Sequence, residues 1–186
     1  MPRLVDSQSR ADTMTWGVNH LLGLHGPTGV TMRALARATG ISTGSLAHQY
    51  GNREHIMRVA AHRTARAREQ EIWVESRRRG IVAFLPRQRE EELLEARVWL
   101  AWQEVHRSDP GTRRVLAEAR RRERTVVAIC LGREGDSHEA REVHALVDGL
   151  LAAVCAPEDA LDLDTAHRLL TSRAADLTAP PVSSAG

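Results

Sequence analysis

The sequence predicts an all-α protein, with a compact three-helix head followed by a longer helical body. Three observations carry that expectation. Apolar residues recur at three- and four-residue spacing through most of the chain, strand-type alternation is nearly absent, and Gly, Pro, Ser, Asn and Asp cluster at the intervals where helices must end.

The first periodic segment runs from about Asp6 to His25, with Met14, Val18, Leu21 and Leu22 on one face, and Gly26-Pro27-Thr28-Gly29 breaks it. Thr31 is a good N-cap for a short second helix that ends before Gly40. Its apolar stripe is Leu35, Ala36 and Ala38, with Arg33 and Arg37 outside; Ala34 stands where a capping-box acid would, so that cap is half built. Ser42 caps a third helix holding Thr43 to Gln49, and Asn52 a fourth that runs through Ile56, Val59 and Ala60 to about Arg78. Gly80 to Leu85 is a short helix stopped by Pro86. Glu90 to Arg107 follows and ends at Ser108-Asp109-Pro110-Gly111. Thr112 to Leu131, a loop over Gly132 to Asp136, then His138 to Cys155 and Asp164 to Leu177 complete the body. The expected division is a head over 1–51, a body over 52–178 and a disordered, turn-rich tail over 179–186.

The chain has 186 residues, 42% of them hydrophobic, which is ample for a sizeable core. No apolar run is long enough to span a bilayer and no signal-peptide stretch opens the sequence, so a cytoplasmic location with no membrane partner is expected. Cys130 and Cys155 lack metal-ligand spacing and read as small, reduced core residues. The net charge of +2 hides an asymmetry: residues 1–70 carry nine arginines against four acids, leaving −3 for the rest. A basic N-terminal part suits a polyanion. All 26 basic residues are Arg, a compositional bias that weakens the significance of any single one.

The informative stretch is Thr31 to Tyr50, TMRALARATGISTGSLAHQY. Two short helices meet at a tight turn containing Gly40, followed by an inward Ile41 and a capping Ser42, which is the grammar of a helix-turn-helix. Gly40 can take the positive φ that reverses the chain. Ile41 and Leu46 face the head's core, while Thr43, Gly44, Ser45, Ala47 and His48 point outward. A short exposed helix with small polar residues near its start fits the major groove. The N-termini of the second and fourth helices offer N–H groups to phosphates.

With the following Gly51-Asn52-Arg53-Glu54-His55-Ile56, this stretch resembles the N-terminal signature of TetR-type regulators, over roughly residues 10–60. The resemblance implies a homodimer whose heads enter successive major grooves of a pseudo-palindromic double-stranded operator. It is expected to act as a repressor released by a small-molecule effector of unknown identity. Carried over by position, Thr43, Gly44, Ser45 and His48 would face bases or nearby backbone, and Thr31, Arg33, Gln49 and Arg53 would hold phosphates. Members of the family often carry Tyr where this chain has Ala47, so one common phosphate contact is missing; Tyr50 stands where an aromatic closes the head's core. Ala145–Leu151 (ALVDGLL), and Arg97–Trp102 (RVWLAW) followed by Asp109-Pro110, resemble the BetI-like branch. There a closing helix pair meets its two-fold mate, which would put Val143, Leu146, Val147, Leu150, Leu151 and Val154 at the dimer interface.

Phe84, Trp99, Trp102 and His106 (with Trp73 nearby in type) could line an effector pocket, although Trp at helical spacing is more often core. His138, Glu139, Glu142 and His144 do not form the HExxH pattern and lack a third ligand, so neither metal nor cofactor is expected. The arginines between Arg113 and Arg124 read as a solvated face interleaved with Glu118 and Glu123. Nothing resembles a nucleotide loop or an activated nucleophile, so the chain is not expected to be an enzyme. The alternative is a helical ligand-binding or protein-interaction module that has lost DNA binding.

Overall fold

The computed structural model describes residues 3–178, with the side chains of residues 3–7 and 106–108 excepted. The tail expected over 179–186 and the side chain of His106 lie outside the described residues. Among those residues all regular structure is helical: α1 (Arg3–Gly29), α2 (Met32–Thr39), α3 (Thr43–Tyr50), α4 (Arg53–Arg79), a 3-10 turn (Gly80–Phe84), α5 (Glu90–Ser108), α6 (Pro110–Cys130), α7 (His138–Val154) and α8 (Leu163–Thr178). The all-α class is as the periodicity predicts.

Two boundaries differ from the sequence reading, each for a local reason. The backbone of α1 breaks at Gly26 (φ 65°, ψ −172°), as expected, but Pro27 then starts one more helical turn up to Gly29. Proline's fixed φ suits a first turn, where its missing N–H costs nothing. The same rule moves the start of α6 back to Pro110. Asp109 caps it, accepting from the N–H groups of Gly111 (3.2 Å) and Thr112 (3.0 Å). The Asp-Pro-Gly run is thus a stop for α5 and a start for α6 at once.

The chain divides into two compact units, one holding residues up to Arg68 with Leu94–Ala119, the other Glu69–Leu93 with Arg120 onward. In the first, α2 packs on α1 and α3 on α2. Met14, Val18, Leu22, Leu35, Leu46 and Ile56 are fully buried there. Gly17 makes the α1–α2 approach possible: a Cβ on it would stand 2.4 Å from Thr39 Cγ2 and 2.9 Å from Leu35 Cδ1. A polar pin joins α1, α4 and α5. The indole N–H of buried Trp102 donates to Asn19 Oδ1 at 2.9 Å, and Asn19 Nδ2 donates to Thr64 Oγ1 at 2.9 Å. Buried polar groups demand such partners, so the pin fixes register as well as filling space.

In the second unit α7 packs on α8, and α8 on the 3-10 turn, whose Ile81 and Phe84 are buried. His144 and Glu123 face each other inside it, with His144 Nε2 3.0 Å from Glu123 Oε2 and both side chains under 5% exposed. Arg120 holds Asp148 with two hydrogen bonds, and Arg173 Nε donates to Glu142 at 2.7 Å.

Candidate nucleic-acid interface

The interface is built from capped helix starts. Thr31 Oγ1 accepts from Ala34 N (3.1 Å) at the start of α2, Ser42 Oγ from Ser45 N (3.1 Å) at α3, and Asn52 Oδ1 from His55 N (2.9 Å) at α4. All three caps sit where the sequence places them. Each satisfies one of the N–H groups a helix start leaves open and leaves others for an outside acceptor. Gly40 takes φ 71° and ends α2 by donating its N–H to Ala36 O at 3.0 Å, turning the chain toward α3. Gly51 (φ 76°) closes α3 in the same way on Ala47 O at 2.8 Å.

Leu46 is the fully buried anchor of α3, while Thr43, Gly44, Ser45, Ala47, His48 and Gln49 are all exposed. The geometry therefore gathers Thr43, Gly44, Ser45, His48 and Gln49 on one short helix whose single inward residue fixes it to the head. Gly44 has open space where a side chain would be, with only Ser42 Oγ within 4 Å, at 3.9 Å. Thr31 and Arg33 are exposed at the start of α2, and within the described residues Arg33 and Arg37 make no hydrogen bond or ion pair. Ile41, expected inward, is half-buried. Tyr50 is half-buried with a hydroxyl that finds no partner. Burial pushes its phenol pKa up against the opposing pull of Arg63 and Arg10.

Arg53 stands differently from the other cations. It is half-buried, and its Nε and Nη2 donate to the main-chain carbonyls of Val30 (2.5 Å) and Pro27 (2.7 Å).

The remaining candidates are placed as follows. Phe84 belongs to the second unit; Trp99 and Trp102 belong to the first, and all three are buried. The Arg68 guanidinium lies 4.7 Å from the centroid of the Trp99 ring. Trp73 is 41% exposed with Arg77 over its face. Of the residues expected at a dimer interface, Val143, Val147, Leu150, Leu151 and Val154 are buried within this chain, and only Leu146 is half-exposed. Their apolar surface is already covered by the chain's own packing. The outward residues of α7 are His138, Arg141, Ala145, Gly149 and Ala152, and α8 exposes Leu169. His144 meets Glu123 from α6 at Nε2 (3.0 Å) and lies 3.9 Å from Asp148 of α7 at Nδ1, and among the described residues no group of three His, Cys, Asp or Glu could hold a metal ion. Sequence reasoning missed Gly17 and the Asn19–Trp102 pin; an isolated Gly on an apolar helix face was the available sign of the first.

A capped, exposed α3 seated on α2, beside arginines that have no partner among the described residues, has the geometry of a helix-turn-helix head. Residues 19–60 match the sequence profile of the bacterial regulatory proteins of the tetR family. The fold extends the likeness along the chain. A transcriptional regulator from Rhodococcus sp. Rha1 superimposes with a TM-score of 0.79 at 16% identity, over 92% of this chain and 99% of its own. A TetR-family transcriptional regulator from a Rhodococcus species gives 0.80 at 16% identity, over 92% and 100%. A regulator from Saccharomonospora viridis, in complex with choline, gives 0.74 at 18% identity, over 89% and 95%. No curated protein matches the sequence. No helix among the described residues is long and apolar enough to cross a membrane.

Proposed function

We propose that the chain is a homodimeric cytoplasmic repressor that binds a pseudo-palindromic DNA operator through α3 and leaves it when a small molecule binds the body. The observation that carries this reading is the α3 surface, where five polar or side-chain-free positions are exposed around one buried Leu46. Thr43, Gly44, Ser45 and His48 lie against base edges and nearby backbone; Thr31, Arg33 and Gln49 meet phosphates. Phosphate contacts supply register and affinity, base edges supply sequence. The absent Tyr at position 47 shifts more of that affinity onto Arg33 and Arg37.

Two heads about one DNA turn apart, roughly 34–36 Å, meet successive major grooves. The helix pair α7–α8 serves as the dimer face through Ala145, Gly149, Ala152 and Leu169, since small residues let partner helices approach closely. The effector acts by favouring a dimer arrangement with the wrong spacing, a population shift set by its differential affinity for the two states. The choline complex of the Saccharomonospora viridis regulator supports a small-molecule site in this fold. The chain works by binding and carries out no reaction.

The test is selection of duplexes by the full-length protein from a random-sequence pool. The reading expects enrichment of an inverted repeat bound by two protomers. A pool that stays unenriched, with binding no stronger than to a scrambled duplex, overturns it in favour of a module that has lost DNA binding.

A further inference from the structure

Arg53 opens α4, one residue after the cap Asn52, and the resemblance of the sequence to TetR-type regulators assigns it to a DNA phosphate. Its surroundings point elsewhere. The carbonyls of Pro27 and Val30 lie just past the break of α1 at Gly26, where the main-chain bond that Pro27 O accepts from Val30 N–H is long, at 3.4 Å, and leaves room for a side-chain donor. Nε and Nη2 of Arg53 reach both, across 23 and 26 residues of sequence. A planar guanidinium bound at two edges has a fixed orientation, unlike a flexible point charge. Val30 is itself buried (1% exposed) and directly precedes Thr31, the cap of α2. The side chain therefore ties the start of α4 to the residue that sets the start of α2.

We propose that Arg53 is a positioning residue for DNA recognition, holding the α2 and α4 N-termini in register through the Val30 and Pro27 carbonyls, and not a phosphate ligand. This rests on the DNA-binding reading above. Two helix starts meet phosphates of one strand together at lower cost when their separation is fixed before binding, and this two-pronged bond links them directly. Arg33, exposed and without a partner in the described residues, supplies the contrasting case of a cation left available to the backbone of DNA.

Lysine separates the two roles. It keeps the charge and grips phosphate as a point charge, but cannot reproduce a two-edged bond to two carbonyls. The full-length wild type, Arg53→Lys, Arg53→Ala, Arg33→Lys and Arg33→Ala are titrated over a range of salt onto a duplex enriched by the wild type. Amide exchange at Ala34 and Leu35 is followed in the DNA-free proteins. Positioning predicts that both Arg53 variants lose affinity alike, about tenfold, that Arg53→Lys keeps the wild-type salt slope, and that both exchange faster at Ala34 and Leu35, whose N–H groups Thr31 holds. Arg33→Lys stays near wild type, while Arg33→Ala lowers the slope of each head by about 0.9. Wild-type affinity for Arg53→Lys, with a shallower slope for Arg53→Ala alone, overturns the proposal and makes Arg53 a phosphate ligand. If the wild type enriches no duplex, the functional reading fails, and the exchange data still decide: unchanged protection in both Arg53 variants overturns the positioning role.

Discussion

Gly44 is the position where stability and DNA recognition should part. It is the second residue of α3, in helical conformation and exposed, and a Cβ there meets nothing closer than Ser42 Oγ at 3.9 Å. No feature of the free head requires glycine. In a helix interior Ala is favoured over Gly by about 1 kcal/mol, and near a terminus roughly half of that remains. Gly44→Ala should therefore stabilise the free protein by about 0.5–1 kcal/mol, a rise of roughly 1–4 °C in Tm for a chain of this size. The same methyl group stands on the outward face beside Thr43, Ser45 and His48, where the backbone would approach DNA most closely. About 1.4 kcal/mol of steric cost there is a tenfold loss of affinity. Thermal unfolding without DNA and anisotropy titration with an enriched duplex measure the two effects on one preparation. A variant that is stabilised and still binds as wild type would refute the close approach at Gly44. A destabilised variant would refute the open surroundings of the site.

Other outcomes follow from particular contacts. Gly17→Ala should destabilise the head by about 1–3 kcal/mol, because Thr39 is β-branched and cannot turn away, and thermal unfolding reads this directly. Leu46→Ala should cost about 2–5 kcal/mol and loosen α3, seen as lost amide protection over Thr43–Tyr50. Gly149→Glu should leave the monomer folded but shift sedimentation toward the monomer, since the site is open in the chain and lies on the proposed dimer face. Glu92 gives the pH dependence. Burial raises its pKa, but the main-chain N–H and guanidinium of Arg87, at 2.6 and 2.7 Å, outweigh that and hold the carboxyl below its ordinary 4.5. A carboxylate depressed in the folded state adds stability that is full above its unfolded pKa and lost as pH falls through the folded value. Denaturant unfolding across acid pH should show Glu92→Gln less stable than wild type at pH 7, with the difference shrinking as pH falls below 4.5 toward the folded value.

The helices were legible in the sequence because the signals that start and stop them are local. Thr31, Ser42 and Asn52 cap the helices they precede, and Gly40 turns the chain as its position implies. The outward set on α3 was legible for the same reason: around one apolar Leu46, helical geometry leaves the other positions facing out. What a side chain meets from a distant part of the chain was not. The resemblance gives Arg53 a phosphate, and nothing local in the sequence signals the carbonyls of Pro27 and Val30 that its guanidinium meets. The resemblance places the apolar residues of α7 against a partner as well as the core, and Val143, Val147 and Leu151 are covered from within the chain. Hydrophobic periodicity gives the side of a helix that avoids water and not what covers it. Asp109-Pro110-Gly111 shows a related limit, since one cluster of turn residues can both end a helix and begin the next.

The central claim is that α2 and α3 present this chain to duplex DNA, and the salt dependence of binding tests it most directly. Arg33 and Arg37 are the unpartnered cations of α2, two per head and four in a dimer. Each phosphate neutralised contributes about −0.9 to the slope of log affinity against log salt, so the full-length protein on its enriched duplex should give about −3.6 or steeper. A slope near zero, or one unchanged when Arg33 and Arg37 are both replaced by Ala, would contradict the account.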